Sequence, residues 1–255
     1  MKLPALALAA LVVAAPLARA QSAADHIAEG DKAHAALNAT AALKHYEAAI
    51  AVDPTNAEAL WKAARDAIDL GEAAGFQHNN ATRDSLYKVA EQYATRAVQA
   101  NPKLGATHFT LAKALGRAAL TLGSRERVKY AGRVRSEALA ALAIDSLDDG
   151  ALHVMGVWNA EIMRLNSFAR FLARNLLGGQ VLGEASWASA QRYLERSVAI
   201  APNRIVHHLD LGDVYADVGD KARAREQYQQ VLALPATEFN DKDYQQQARD
   251  KLARL

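Results

Sequence analysis

The constraint that bears hardest on this chain is recurrence. The stretch from Ala28 to Asn56, AEGDKAHAALNATAALKHYEAAIAVDPTN, is an alanine-rich helical pattern holding one Gly and one Tyr and closing on Asp-Pro. Similar closing landmarks return as AVQANPKLG at Pro102, AIDSLDDG at Ser146, VAIAPNRI at Pro202 and VLALPATE at Pro235. Each follows an apolar helical stretch. Short helical units of this kind cannot bury their apolar faces singly, so copies must stack into one continuous core. No stretch alternates with period two for long enough to suggest a sheet. The expected class is all-α.

The first unit fits the tetratricopeptide pattern, a helix pair of about 34 residues. Counted from Ala23, Gly30 falls where helix A must let helix B approach, and Ala42, Tyr46 and Ala49 fall on the packing face of helix B. The last unit fits equally, with Leu211-Gly212, Tyr215, Ala224 and Tyr228, and Gly219-Asp220 as its turn. Small residues serve here because closely packed helices leave no space for larger side chains. The middle units are longer, with landmarks 48, 44 and 56 residues apart. The extra length is expected as a loop over residues 71–84, GEAAGFQHNNATRD, then as a long helix after a turn near Gly123, and then as an insertion over about residues 161–186. The closing run NDKDYQQQARDKLARL begins at an Asp cap and suits the polar end of a solenoid. The expected architecture is a tetratricopeptide-like right-handed helical-hairpin solenoid of about five helix pairs plus a C-terminal capping helix. It occupies residues 21–255 as one domain.

The opening MKLPALALAALVVAAPLARA has a basic start, an apolar stretch from Leu3 to Val13 and Ala18-Arg19-Ala20 as a small-x-small site. That is the layout of a signal peptide, with residues 1–20 removed after Ala20 and the protein exported, periplasmic or secreted in a bacterium. The leader holds Lys2 and Arg19, so 28 of the 30 basic residues remain against 28 acidic ones. A balanced chain without basic runs gives no electrostatic reason for nucleic acid. With no cysteine there is no disulfide, zinc–thiolate site or thiol nucleophile.

The run TLGSRERVKYAGRVRSEALAALAIDSLDDGALHVMGVWNAEIMRL resembles the regulator of microtubule dynamics family. So do AEQYATRAVQANPKLGATHFTLAKALG, the His153, Gly156 and Trp158 constellation, and WASAQRYLERSVAIAPN. The likeness extends over about residues 25–234 and marks the chain as a bacterial-type exported relative. It implies a divergent tetratricopeptide-like domain acting as an interaction module, which eukaryotic members use at microtubules or organelle contact sites. Lipid binding is also associated with the family. The chain departs from the pattern in its cleavable leader and in Ser146 where Pro is usual.

No Gly-rich phosphate loop, zinc-protease helix or nucleophile elbow is present, so no enzyme, cofactor or metal is expected. His207 and His208 point about 100° apart on a helix and cannot share one ion, and His207 with Asp210 makes two ligands at most. The expected partner-binding surface is the concave face built from the A helices. It comprises Trp61, Lys62, Arg65 and Ile68, then Phe109, Lys113 and Arg117, then His153, Val157 and Glu161, then Asp210, Asp213 and Asp217. This groove is basic and aromatic in the middle and acidic towards the C-terminus. Arginines there suit bidentate contacts to carboxylate or phosphate. The function expected is a non-catalytic scaffold for a protein or peptide partner. The alternative is a lipid- or small-amphiphile-binding protein, or one touching a membrane surface, that uses residues 161–183 to cover an apolar cavity. In that insertion Leu165, Phe168, Leu172 and Leu176 share one side, with Phe171 nearby, bordered by Arg164, Arg170 and Arg174, with Gly178-Gly179 as the reversal. The expected role is that it folds across the solenoid and completes the core, ahead of touching a membrane or covering a ligand.

Overall fold

The computed structural model describes residues 21–176 and 179–255. The leader expected over residues 1–20, and Gly178 of the expected reversal, lie outside the described residues. The first hairpin is α1 (Ala23–Ala35) with α2 (Ala39–Val52), and the second is α3 (Ala57–Phe76) with α4 (Asn80–Ala100). The third is α5 (Gly105–Ala119) with α6 (Ser124–Ile144). The fourth pairs α7 (Asp149–Arg164) with α9 (Trp187–Ile200), with α8 (Ser167–Leu176) and a 3-10 turn (Gln180–Glu184) between them. The fifth is α10 (Ile205–Asp217) with α11 (Lys221–Ala233), and α12 (Asp241–Arg254) caps the end. Among the described residues there is no strand, and no helix is long and apolar enough to cross a membrane.

One turn design recurs inside the hairpins. Leu37, His78 and Gly219 take left-handed backbone conformations, with φ of 57°, 58° and 84°. Each is followed by a capping Asn38, Asn79 or Asp220, whose side chain accepts from the backbone N–H three residues on. The left-handed residue stops one helix and the cap starts the next. This corrects the loop expected over residues 71–84. There α3 continues to Phe76 and α4 begins at Asn80. At 20 and 21 residues, these helices are each seven residues longer than the 13 and 14 of α1 and α2. Seven residues make about two turns, so the second hairpin is a stretched copy of the first. Gly71, which read as a loop residue, lies inside α3 with its face against the Tyr87 ring.

That contact belongs to a series. A Cβ on Gly30, Gly71 or Gly212 would fall within 3.0 Å of the ring of Tyr46, Tyr87 or Tyr228, respectively. Each tyrosine lies sixteen residues after its glycine. In the third hairpin the same offset separates Ala118 and Val134, both buried, with Ala where the others have Gly and Val where they have Tyr. In the fourth, Gly156 admits Leu194. Hairpins then stack in chain order. Along the inner layer α1 meets α3, α3 meets α5, α5 meets α7 and α7 meets α10, whereas successive B helices make no comparable contact. The A helices therefore line the inner curve. Across the outer layer only long side chains reach, as where Tyr93 donates to Glu47 (3.1 Å) and Tyr130 to Glu91 (2.8 Å).

The insertion divides its residues. Ala173 and Leu182 join the core that runs through the second to fourth hairpins. Phe168 and Phe171 face outward, 73% and 60% exposed.

Candidate interaction groove

The inner layer carries facing rows of opposite charge. On α3, Asp66, Asp69 and Glu72 repeat every third residue and so share a face, and on α5 Lys113 and Arg117 do the same one turn apart. Lys113 Nζ lies 3.3 Å from Asp69 Oδ1, and an Arg117 guanidinium nitrogen lies 2.5 Å from Glu72 Oε1. These residues mesh the second and third hairpins. Burial pushes the Glu72 carboxyl up, but Arg117 and Lys113 outweigh it and hold the group below its ordinary value. Asp69 goes the other way. Its burial, with Glu72 and Asp66 alongside, outweighs Lys113 and raises it.

Towards the N-terminus, Lys62 is buried and bridges Asp31 (2.8 Å) and Glu58 (2.6 Å). Arg65 donates to the Tyr46 hydroxyl (3.2 Å) and to Asp66 (3.3 Å), and its guanidinium lies 5.4 Å from the centre of the half-buried Trp61 ring. Trp61 also lies 5.7 Å from Lys62 Nζ. Ile68, expected on this face, is fully buried in the core. Phe109 sits between α5 and α7, because Gly150 leaves the space its ring fills. Towards the C-terminus, His153 Nε2 lies 2.7 Å from Asp210, and Asp217 pairs with Arg164 at 2.7 Å. Asp213 accepts from Tyr228 (2.8 Å) and Lys251 (2.7 Å). Arg164, Asp213, Asp217, Tyr228 and Lys251 border an open polar cleft of about 340 Å³.

Nine of the residues expected on the groove therefore fall into three groups along the inner layer. Trp61, Lys62 and Arg65 form one, Lys113 and Arg117 a second, and His153, Asp210, Asp213 and Asp217 a third. Most are bound to partners that were not anticipated: Asp31, Asp66, Asp69 and Glu72 on one side, Arg164 and Lys251 on the other. The three-residue spacing of the α3 acids was a readable signal for a row facing Lys113 and Arg117.

His207 lies beside His153, ring centres 4.7 Å apart, and meets Asp149 at 2.7 Å. Arg204 bridges Asp149 (2.8 Å) and Glu238 (2.9 Å). Burial, with the nearby His153 and Arg204 charges, outweighs Asp149 and brings His207 down to about 4. His208 is satisfied by Gln227 (2.7 Å) and the Pro202 carbonyl (2.8 Å). His34, Asp66 and Asp69 converge with ligand-type atoms within 4.8 Å of one another. Arg65 and Lys113 already neutralise those two carboxylates, so a cation there would have to displace them.

The C-terminal segment completes the site. After α11 the chain turns inward, and Asp241 Oδ2 fixes the turn by accepting from Thr237 and Glu238 N–H, both at 2.7 Å. Asn240 Nδ2 donates to the Asp69 carbonyl (3.0 Å) and Glu72 Oε2 (3.1 Å). The Tyr244 hydroxyl donates to the same Glu72 oxygen at 2.8 Å. The Tyr244 ring meets Phe76 edge-on, centroids 5.7 Å apart. The capping helix thus also reaches across the curve to the second hairpin, a contact that no local sequence signal announces.

A thermophilic tetratricopeptide-repeat protein of Thermus thermophilus superposes with a TM-score of 0.60 at 19% identity, covering 89% of this chain and 98% of that one. The likeness shows the fold. Regulator of microtubule dynamics protein 1 of Bos taurus is 24% identical over 198 residues, 77% of this chain and 61% of the relative. The Mus musculus protein of the same name is 23% identical over 199 residues, 78% of this chain and 64% of the relative. The chain thus spans less than two thirds of the length of these curated relatives. The model of the family described as regulator of microtubule dynamics protein 1-3 matches residues 20–255, and the chain belongs to that family.

Proposed function

We propose that this protein is a non-catalytic, exported interaction scaffold that holds a segment of a protein partner along the inner layer of its solenoid. The observation that carries this reading is that the inner layer already grips polypeptide. Glu72 and the Asp69 carbonyl hold residues 240 and 244 of the chain's own C-terminal segment. A surface of paired charges with half-exposed Trp61 and Arg65 offers both anchoring and directional contacts to a second chain. The name of the relatives ties those proteins to microtubule dynamics. For an exported chain the partner is a polypeptide of the receiving compartment.

Site-specific photocrosslinkers test the surface. Placed at Trp61 or Asp217 on the inner layer, they should capture one discrete polypeptide from the native compartment. Placed at Gln99 on α4, in the outer layer, a crosslinker should not. Capture from Gln99 alone would overturn the groove. Export is checked by sequencing the N-terminus of protein recovered from the periplasm or medium. Gln21 is expected first, and a cytosolic protein with an intact leader would refute it.

A further inference from the structure

We propose that the contact the C-terminal segment, residues 235–255, makes with α3 through Asn240 and Tyr244 is a displaceable occupancy of the groove. The partner segment it stands in for presents a side-chain hydroxyl and a carboxamide, one helical turn apart, to Glu72. This rests on the groove reading above and adds the chemistry that the groove selects.

Glu72 is only 5% exposed, yet its Oε2 accepts from two side chains that lie 168 and 172 residues away in sequence. A carboxylate taken so far out of water needs its donors, and Arg117 alone covers only the other oxygen. Asn240 and Tyr244 stand four apart at the start of α12 and so project from one face. Both are buried. Their seat lies at the C-terminal end of α3, where that helix runs past the length of α1, with Phe76 as its apolar wall.

The attachment is asymmetric. Towards its own hairpin α12 is held by apolar packing of Tyr244, Ala248, Leu252 and Leu255, by Gln245 donating to the Val231 (3.3 Å) and Leu234 (2.9 Å) carbonyls, and by the Lys251–Asp213 ion pair (2.7 Å). Towards α3 it is held by three hydrogen bonds and one ring edge. Hydrogen bonds exchange readily for equivalent ones from another chain, whereas buried apolar area does not. A second polypeptide bearing the same pair of donors can therefore take the α3 seat while α12 stays on the fifth hairpin.

The test uses the full chain carrying Asn240→Ala and Tyr244→Phe, which removes both donors and keeps the ring. The probe is a labelled peptide of residues 235–248. It should bind this variant at least tenfold more tightly than the wild type, and adding Glu72→Gln should take at least tenfold away. Hydrogen exchange of amides 239–246 should speed up about tenfold in the double variant while α1 and α2 stay unchanged. If the double variant does not fold, Asn240→Ala alone is read by the same two measurements. Equal binding to wild type and variant, binding indifferent to Glu72→Gln, or unchanged exchange would each overturn the proposal. Crosslinking from Trp61 that persists when the peptide fails would sink only this occupancy. Peptide binding without any crosslink from Trp61 or Asp217 would sink only the partner reading.

Discussion

Gly71 shows how much one missing methyl group decides. Its helix face is filled by the Tyr87 ring, whereas the third hairpin carries Ala118 and Val134, both buried, at the same sixteen-residue offset. Gly71→Ala forces ring or backbone to move and should cost about 1–3 kcal/mol. Adding Tyr87→Val should give a loss smaller than the sum of the single changes, with coupling of about 1 kcal/mol or more by urea denaturation. Strict additivity would mean that the two do not share space. His207 decides something different. Burial leads the causes that bring it down to about 4, and its Nδ1 is buried without a hydrogen-bond partner. An unfolded histidine titrates near 6.5, so between about pH 6.5 and pH 4 the unfolded chain takes up a proton that the folded chain refuses. Stability should therefore fall with pH through that window, by about 3 kcal/mol from this group, and level off below it. His207→Gln keeps a donor towards Asp149 and should remove that part of the slope. A variant with an unchanged pH profile would show that His207 is not the cause.

At the scale of helices, what the sequence disclosed follows from how local each signal is. The hairpins were legible because Gly30, Tyr46, Gly212 and Tyr228 sit at fixed offsets within one unit. Pro54, Pro102 and Pro202 mark the unit boundaries for the same reason. The length of α3 and α4 was not. Gly71, Gly75 and the two asparagines at 79 and 80 resemble a loop, whereas Gly71 serves packing and only residues 77–79 leave the helix. Lys113 and Arg117 were legible as a basic row, but their pairing to Asp69 and Glu72 depends on how α3 and α5 cross. The insertion was legible in composition and only partly in role. Ala173 and Leu182 reach the core while Phe168 and Phe171 point outward. Replacing both phenylalanines by serine should therefore change the unfolding free energy by less than about 0.5 kcal/mol. A large loss in thermal melting would instead place those rings against the body of the protein.

Over the whole molecule, curvature brings together what the chain keeps apart. In an open solenoid each hairpin touches only its neighbours, stability is nearly a sum of local terms, and the ends fray independently. Here the second hairpin is bonded directly to the capping segment through Glu72, so the second to fifth hairpins form a closed loop of contacts. The first hairpin stands outside that loop. Losing either side of the bond to Glu72 leaves buried donors or a buried carboxylate unpaired, so partial opening is penalised and the closed part should unfold as one unit. Glu72→Ala removes the ion-pair partner of Arg117 and the acceptor of Asn240 and Tyr244 together and should cost about 3–5 kcal/mol, the range for breaking a buried ion pair from one side. It should also change the manner of unfolding. The wild type should show one urea transition with α12 amides protected as strongly as those of α10. The variant should show a broader transition with a lower m value, α12 exchanging first. Loss of stability with an unchanged m value and exchange order would mean that stacking alone, without the closure across the curve, makes the molecule cooperative.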